Sequence, residues 1–166
     1  IKNDNIKVKL NTDYKKIKDK IIPRYATVYT GPPDVFFNNK FGKLDWRSLN
    51  FKFKTYKKKK IQDCVQINFP NKYKFTRKVE IKHVTKQRIP ITTVCTEYPS
   101  SSGDPYYPIN NKKNLKTFAK YKKLINIYEK KNIFFEGRLA QYKYLNMDEV
   151  IERALNLFNR IKLKFN

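Results

Sequence analysis

The chain has 166 residues, of which 40% are hydrophobic and 15% aromatic, and it carries a net charge of +24 at pH 7. This apolar content can close a core, which excludes a wholly disordered polycation, and no apolar run approaches the roughly 20 residues that cross a bilayer. Two cysteines and one histidine without CxxC or HxxxH spacing exclude a Cys/His zinc site, so we expect a metal-free, folded, basic protein in the cytoplasm with reduced thiols.

The first part of the chain predicts two strands and a helical segment. Ile6–Leu10 alternates apolar and polar residues as a short strand does, and Asp13–Lys20 is polar and compatible with a helix. Tyr25–Thr30 has the composition of a buried strand, which the turn residues Gly31-Pro32-Pro33 stop. A strand that ends in such a turn is a place for a ligand.

Four strand-like segments follow one another in the middle of the chain. Leu49, Phe51 and Phe53 alternate with polar residues, and Cys64–Phe69 and Phe75–His83 also have the composition of strands. Ile91–Tyr98 is β-branched and uncharged until Glu97. Consecutive strands of this kind favour an antiparallel sheet. The single histidine, His83, follows the alternation of its segment, so we expect a hydrogen-bonded strand residue without a catalytic role.

The spacing of apolar residues changes from strand-like to helical after the turn-rich segment Pro99–Pro108. Apolar residues at helical spacing predict a helix over Lys112–Lys131, followed by a strand over Asn132–Glu136 and a last helix over Asp148–Leu163. The predicted inner face of the last helix consists of Val150, Ile151, Ala154, Leu155 and Phe158. No internal repeat or long linker is visible, which predicts an α+β fold rather than two separate folding units.

Five sequence blocks carry a resemblance. The last is Glu136-Gly-Arg-Leu-Ala-Gln-Tyr-Lys-Tyr-Leu-Asn-Met147. The earlier blocks, in chain order, are Tyr29-Thr-Gly-Pro-Pro-Asp34, Phe41-Gly-Lys-Leu-Asp-Trp-Arg-Ser-Leu49, Phe75-Thr-Arg77, and Thr96-Glu-Tyr-Pro99 with Gly103-Asp-Pro-Tyr-Tyr-Pro108. In order and spacing they resemble the C-terminal portion of the bacterial type of UDP-galactopyranose mutase, from about Ile6 to the end of the chain.

The resemblance implies a fold class and a division of the chain. The fold is α+β or α/β: an antiparallel substrate-domain sheet plus the C-terminal strand and helix of an incomplete, Rossmann-like FAD-binding domain. Residues 1–48 correspond to the segment that returns into the FAD-binding domain and residues 49–111 to the substrate-domain sheet. Residues 112–166 supply the helix, strand and C-terminal helix that complete the flavin side.

One part of the family pattern is missing. The Gly-x-Gly-x-x-Gly turn that holds the FAD pyrophosphate in the family has no counterpart, because Gly31, Gly42, Gly103 and Gly137 lie too far apart in sequence. The first residue is also Ile rather than Met. We therefore expect a fragment of a longer reading frame that is inactive alone.

The resemblance implies an isomerase that interconverts UDP-galactopyranose and UDP-galactofuranose for cell-surface galactofuranose synthesis. In the family, reduced and non-covalently held FAD forms an adduct with the sugar, so the cofactor acts as a covalent catalyst without net redox change. The implied partners are UDP-galactose in its two ring forms and a second copy of the full-length enzyme, with no membrane partner.

The matched motifs contain the candidate site residues. The resemblance implies that Arg77 and Arg138 stabilise the leaving diphosphate, since a planar guanidinium gives two hydrogen bonds to phosphate oxygens. Tyr107 and Tyr144 would donate phenolic hydrogen bonds to the same diphosphate. Arg47 corresponds to a family arginine near the flavin.

Further candidates belong to the catalytic and cofactor sides. Glu97 lies in an otherwise apolar strand, so we expect an arginine or a sugar or flavin hydroxyl as its partner. The cofactor-binding candidates are Gly31, Gly137, Arg138, Asn146 and Met147. Asn146 replaces the family aspartate, which keeps the shape and an acceptor oxygen but removes the negative charge.

Two alternatives remain open. The net charge is typical of an RNA- or ribosome-associated interaction protein, because clustered cations neutralise phosphates. The excess of Lys over Arg and the scarcity of Gly are also what A/T-rich codons produce, and Lys57–Lys60 is typical of a solvated loop, so nucleic acid is not the expected partner. The second alternative is a remnant that binds a nucleotide-sugar without turnover, which the Asn146 replacement supports.

Overall fold

The computed structural model describes residues 3–70 and 72–165. In chain order the elements are α1 (Tyr14–Ile17), a 3₁₀ turn (Lys18–Lys20), β1 (Thr27–Tyr29), α2 (Pro33–Phe36), β2 (Trp46–Tyr56), β3 (Gln66–Asn68), β4 (Arg77–Glu80), α3 (Lys82–Thr85), β5 (Thr92–Ser100), β6 (Tyr107–Pro108), α4 (Lys112–Glu129), β7 (Ile133–Phe135) and α5 (Met147–Phe165). The fold is α+β, as the sequence predicts.

The chain divides into two compact units. Unit 1 combines the residues up to Lys43 with the residues from Leu115 onward, and unit 2 is Leu44–Asn114. The antiparallel strands pair only with one another, while β1 pairs with β7 from the other end of the chain. That the two compact units fold together stays a prediction.

Unit 2 is a curled, five-stranded antiparallel sheet with the strand order β3-β4-β5-β2-β6. Its centre is the long pairing of β2 with β5, whose register runs from Ser48 opposite Ser100 to Tyr56 opposite Thr92. This confirms the predicted antiparallel sheet. The alternation of Leu49, Phe51 and Phe53 produces β2, although 71% of Phe53 is exposed, so this chain leaves that face of the sheet largely uncovered.

The prediction for the segment Phe75–His83 is wrong in its second half. β4 ends at Glu80, and His83 lies in the short helix α3, whose C-cap residue Lys86 has the left-handed conformation with φ 53°. At this strand end the buried Glu80 carboxylate accepts hydrogen bonds from the backbone N–H groups of Ile61 and Gln62. These bonds tie the preceding loop to the point where the chain leaves the strand.

Unit 1 contains an aromatic core around a two-stranded parallel sheet. β1 pairs with β7 in a register that places Tyr29 opposite Phe135. Phe36 packs against both rings, with centroid separations of 4.9 Å to Tyr29 and 4.8 Å to Phe135. From α4, the buried Tyr121 hydroxyl accepts a hydrogen bond from Phe41 N and donates to the Gly42 carbonyl, which fixes the helix against the loop after α2.

The segment Ile6–Leu10 forms no strand, contrary to the prediction. Its apolar side chains are exposed, by 61% for Val8 and 80% for Leu10. Alternation alone does not make a strand, because a strand also needs a neighbour with which to exchange backbone hydrogen bonds. Within the described residues this segment has no strand partner.

The predicted inner face of α5 is correct in part. Val150, Ala154 and Phe158 line a cavity beside the β1–β7 pair, although Phe158 is 60% exposed. Ile151 and Leu155 are each 60% exposed, and Leu157, which was not predicted, is buried. The cavity has a volume of about 270 Å³ and is lined by apolar groups that include Val28. The apolar stripe of α5 is thus wider than the surface that this chain offers to cover it.

The described residues also bear on membrane and metal sites. No helix in the ranges 3–70 and 72–165 is long and apolar enough to cross a bilayer. The same residues contain no group of three or more His, Cys, Asp or Glu side chains placed to hold a metal ion. Cys64 and Cys95 are free thiols, and burial followed by the charge of Glu97 raises the pKa of Cys95.

Candidate functional site

One face of the unit 2 sheet carries four of the predicted site residues. In an antiparallel sheet, directly opposed residues share a face, as do residues two apart along a strand. Arg47 lies opposite Tyr107, and Glu97 lies opposite both Arg77 and Phe51. Since Arg47 and Phe51 are four residues apart on β2, the register places Arg47, Tyr107, Arg77 and Glu97 on the same face.

Arg77 and Glu97 form an ion pair across β4 and β5. The Arg77 Nε atom lies 3.1 Å from Glu97 Oε2, without the alignment of a hydrogen bond, and the side chains are 33% and 12% exposed. Arg77 Nη1 also donates to Gln66 Oε1 at 3.4 Å. The carboxylate thus has an arginine partner, one of the partners expected from the sequence, and it orients the guanidinium on the sheet.

Arg47 and Tyr107 lie at the other end of the same face. They are cross-strand neighbours on β2 and β6, and the Arg47 carbonyl accepts a hydrogen bond from Tyr106 N. Arg47 is exposed, and no aromatic ring among the described residues lies beneath its guanidinium. An exposed cation beside a tyrosine is suited to meet an anionic ligand.

In unit 1, the carboxyl ends of the two parallel strands place Gly31 and Gly137 at one edge. Gly31 follows β1 by two residues and Gly137 follows β7 by two residues, in a register that pairs Tyr29 with Phe135. Gly137 has φ +98°, and a Cβ there would meet no atom within 4 Å. Gly31 instead makes room for the ring of Tyr29, since a Cβ would lie 2.5 Å from the phenolic oxygen.

The segment 136–147 folds as a chain of turns around Arg138. Arg138 Nε donates to the Leu145 carbonyl at 2.6 Å, and the guanidinium stacks over the Tyr144 ring at 4.6 Å. Among the described residues no acceptor is hydrogen-bonded to its two Nη groups, so this pair of donors stays available to an anion. Arg138 and Tyr144, predicted from sequence to serve one ligand, are therefore in direct contact.

Asn146 and Met147 lie at the N-terminus of α5. Asn146 occupies the N-cap position, where its carbonyl accepts from Val150 N and its own N–H donates to Glu149 Oε2 at 2.7 Å. This is the reciprocal half of a capping box. Met147, the first residue of the helix, is 84% exposed, so packing within this chain does not explain its position.

These features fit part of a flavin site. The open space beside Gly137 allows close approach of a ligand to the backbone, and a helix N-terminus favours a developing negative charge. Ligands of α/β sheets bind beyond the carboxyl ends of parallel strands, which is where Gly31, Gly137 and Arg138 lie. The described residues contain no glycine-rich turn of the kind that holds a pyrophosphate.

Sequence reasoning missed two residues that hold the site. Glu136 Oε1 accepts a hydrogen bond from Gly137 N at 3.1 Å and lies 3.6 Å from Arg153 Nη1, which anchors the turn to α5. Gln66 orients Arg77 from the neighbouring strand. Glu136 could have been found from its position at the start of the last motif, whereas no sequence pattern pointed to Gln66.

The sequence matches a known family. The family profile described as UDP-galactopyranose mutase matches residues 1–144 of this chain. The matched range contains Arg47, Arg77, Glu97, Tyr107 and Arg138, and it ends at Tyr144.

Curated relatives are similar over most of this chain. UDP-galactopyranose mutases of Mycoplasma genitalium and Mycoplasma pneumoniae are 41% identical over 133 residues and 39% identical over 137 residues, covering 75% and 77% of this chain and 32% and 34% of their own lengths. A dTDP-fucopyranose mutase of Escherichia coli is 32% identical over 132 residues, covering 76% of this chain and 34% of its own length. The aligned region thus spans about a third of the length of these relatives.

Proposed function

This chain belongs to the UDP-galactopyranose mutase family, and we propose that it forms the C-terminal part of an isomerase that interconverts UDP-galactopyranose and UDP-galactofuranose. The substrate is a nucleoside diphosphate attached to a hexose through the anomeric carbon. Ring contraction requires that the bond between this carbon and the diphosphate break and form again, so the protein has to hold a diphosphate whose negative charge grows during the reaction.

The observation that carries the proposal is the geometry of Arg138. Its Nε atom is committed to the Leu145 carbonyl and one face of its guanidinium is covered by Tyr144, which fixes the direction of the two Nη groups. A preorganised guanidinium loses little entropy when it binds phosphate oxygens, and it gains most where the charge develops. A lysine at this position could not replace the planar guanidinium, because its ammonium group is a single point charge.

A second set of cations lies on the sheet of unit 2. Arg77, held by Glu97, and the exposed Arg47 share a face with the Tyr107 side chain. Cations and phenols on one face suit a diphosphate and its sugar, because both kinds of group donate hydrogen bonds to oxygen. We assign Arg77 and Tyr107 to the diphosphate and place Arg47 and Glu97 near the reacting sugar.

The cofactor of the proposed enzyme is FAD in its reduced form. When bound, it supplies the nucleophile that displaces the diphosphate from the sugar. In this chain Gly137 would allow the cofactor to approach the backbone, and the N-terminus of α5 at Asn146 and Met147 would favour negative charge on it. Asn146 keeps its backbone contacts at the start of α5 but supplies no negative charge there.

The proposal also accounts for uncovered apolar surface. A two-stranded parallel sheet is not a stable unit by itself, because parallel sheets are normally covered on both faces. We propose that further polypeptide of the same protein extends the β1–β7 sheet in the manner of a Rossmann-like domain, covers Ile151, Leu155 and Phe158 of α5, and carries the pyrophosphate site. The isolated chain is then inactive, and the active form is a dimer of the longer protein.

Binding of UDP to the longer protein tests the proposal. We expect Arg138→Ala and Arg77→Ala each to weaken UDP binding by roughly 10-fold to 100-fold, the loss typical of a charge-assisted hydrogen bond. The matched control is Arg24→Ala, which removes a cation of unit 1 that rests on Tyr25 outside the matched motifs. Isothermal titration calorimetry with UDP measures all four proteins under one salt condition.

The other readings predict different results. If Arg24→Ala weakens binding as much as Arg138→Ala, the interaction depends on total charge and the assignment is wrong. Tight RNA binding with a steep salt dependence and no effect of Arg138→Ala would favour the interaction protein. A preference for dTDP over UDP would indicate a substrate like that named for the E. coli relative. If the protein binds UDP-sugar without converting it, and Asn146→Asp restores conversion, the protein is a non-catalytic remnant.

A further inference from the structure

One end of the unit 2 sheet is a compact platform that the proposed activity does not use. The loop 57–65 follows β2 and the segment 81–91 precedes β5, so both lie at the same end of the β2–β5 pair. We call these two segments the basic tip. Arg47 and Tyr107 lie at the opposite end of β2, roughly 30 Å away along the strand.

The basic tip has a defined shape. The Glu80 carboxylate accepts hydrogen bonds from Gln62 N at 2.7 Å and from Thr92 Oγ1 at 2.5 Å, and His83 Nε2 lies 2.9 Å from the Gln62 carbonyl oxygen. Lys82 Nζ donates to the carbonyls of Ile89 and Ile91. The two segments are therefore held together, and a cavity of about 590 Å³ lies at the tip beside Lys60 and Lys82.

The charge of this platform is almost entirely positive. The two segments contain seven cationic side chains, namely Lys57, Lys58, Lys59, Lys60, Lys82, Lys86 and Arg88. Asp63 is their one exposed carboxylate, because the neighbouring Glu80 is fully buried and engaged in hydrogen bonds. A cluster of this density attracts a surface that carries many negative charges, rather than a single anion.

Exposed aliphatic side chains lie among these cations. Ile81 and Val84, three residues apart around α3, are 55% and 61% exposed, and Ile89 and Ile91 are 45% and 42% exposed. The two segments contain no Phe, Tyr or Trp. Sites for single-stranded nucleic acid usually combine positive charge with aromatic side chains that stack on the bases. This surface has the positive charge but lacks the aromatic side chains.

We propose that the basic tip docks onto the surface of an anionic lipid bilayer. The lysines would lie among the headgroup phosphates while Val84, Ile89 and their aliphatic neighbours enter the interfacial region, the combination by which peripheral proteins bind membranes. This inference departs from the expectation of no membrane partner, which rested on the absence of a spanning segment. The opposite end of the sheet, with Arg47 and Tyr107, stays clear of the bilayer.

Vesicle sedimentation of the longer, flavin-loaded protein tests the proposal. We expect binding to vesicles of phosphatidylcholine with phosphatidylglycerol, none to phosphatidylcholine alone, and weakening as salt rises. Replacing Lys57, Lys58, Lys59 and Lys60 by Gln should weaken binding by on the order of 100-fold or more, since each cation near the surface adds to the attraction. UDP affinity should not change, which separates this test from that of the proposed function.

Matched variants distinguish the tip from general charge and hydrophobicity. Replacing Lys112, Lys116, Lys122 and Lys123 of α4 by Gln removes the same charge from exposed positions and should change vesicle binding less than about 3-fold. Val84→Ser with Ile89→Ser should weaken binding roughly 10-fold. Val8→Ser with Ile6→Ser, at similarly exposed positions, should leave it unchanged.

Three outcomes would overturn the proposal. One is the absence of binding to anionic vesicles by a protein that still binds UDP. Another is an equal loss of binding in the α4 variant and the tip variant, which would show attraction by net charge alone. The third is tight binding to an RNA oligonucleotide, lost in the tip variant, without vesicle binding, which would assign the surface to nucleic acid.

Discussion

At the scale of single residues, the site depends on a few side chains whose own contacts fix their direction. Arg138 is held by Leu145 and Tyr144, and Arg77 is held by Glu97. The motifs name Arg77 and Arg138 as candidates, and arginine is rare in a chain that otherwise uses lysine. They could not predict these contacts, since the partners come from a turn carbonyl and a neighbouring strand.

Gly137→Ala should lower both stability and cofactor retention. A side chain at φ +98° is strained, so we expect the free energy of unfolding to fall by about 1 kcal/mol. Gly42 is the matched control, because it also has φ +98° and a Cβ added there would meet no atom within 4 Å. In the longer protein, denaturant unfolding should show that Gly137→Ala and Gly42→Ala lower the free energy of unfolding equally. Only Gly137→Ala should also lower the amount of bound flavin.

At the scale of elements, two backbone contacts hold the start of α5. The Asn146 carbonyl accepts a hydrogen bond from Val150 N, and Asn146 N donates to Glu149 Oε2 at 2.7 Å. The Glu149 contact is the reciprocal half of a capping box. The start of this helix thus depends on Glu149 more directly than on the Asn146 side chain.

Glu149→Ala should destabilise α5 by about 1 kcal/mol, since it removes the acceptor for Asn146 N. Glu152→Ala is the control, because it lies one turn further along the same helix and is exposed. Asn146→Asp should leave the melting temperature unchanged or slightly higher. Thermal unfolding measures the three variants, and equal losses in Glu149→Ala and Glu152→Ala would contradict the capping box.

The buried Glu80 should make the stability of unit 2 depend on pH. Burial opposes ionisation, but hydrogen bonds from Thr92, Gln62 and Ile61 and the nearby His83 outweigh it, so the pKa of Glu80 lies below its ordinary value. A depressed pKa in the folded state stabilises the protein above the unfolded pKa, and this stability is lost as pH falls through the folded pKa.

Glu80→Gln should therefore cost about 2 kcal/mol at neutral pH, because an amide N–H₂ group would face the backbone donors. The difference from the parent chain should shrink as pH falls below about 4.5. Glu152→Gln is the control for an exposed carboxylate. Urea unfolding at several pH values measures the difference, and a gap that stays constant with pH would contradict this role of Glu80.

Elements with a strong hydrophobic period could be predicted from the sequence. Elements that depend on pairing with a distant segment of the chain could not. Alternation predicted β2, β-branched composition predicted β5, and helical spacing predicted α4 over nearly its whole length. Ile6–Leu10 alternates equally well but has no strand beside it among the described residues, and His83 lies in the short helix α3 beside the buried Glu80. These failures share one cause, which is that pairing and burial depend on residues distant in sequence.

At the scale of the whole molecule, apolar surface is left uncovered on both units. Phe53 on β2 and Phe158 on α5 are 71% and 60% exposed, although their spacing is that of residues which face a core. Contiguous exposed apolar surface marks an interaction site or an aggregation hazard. The relatives are about three times as long as their aligned regions, which fits the proposal that further polypeptide covers these faces.

The isolated 166-residue chain should therefore aggregate, and polar substitutions on α5 should reduce this. We expect Leu155→Ser with Phe158→Ser to lower light scattering and dye binding of the isolated chain. Val8→Ser with Leu10→Ser, which changes residues as exposed but outside any regular element, is the control and should have little effect. A monodisperse parent chain that melts cooperatively would contradict the incomplete fold.

The central claim is that this chain is part of a flavin-dependent mutase, and the most direct measurement is conversion of UDP-galactofuranose by the longer protein. We predict that UDP-galactopyranose forms when the bound flavin is reduced and not when it is oxidised, and that Arg138→Ala abolishes most of the conversion while Arg24→Ala does not. A monodisperse, flavin-loaded protein that binds UDP but converts none of the sugar under reducing conditions would contradict the claim.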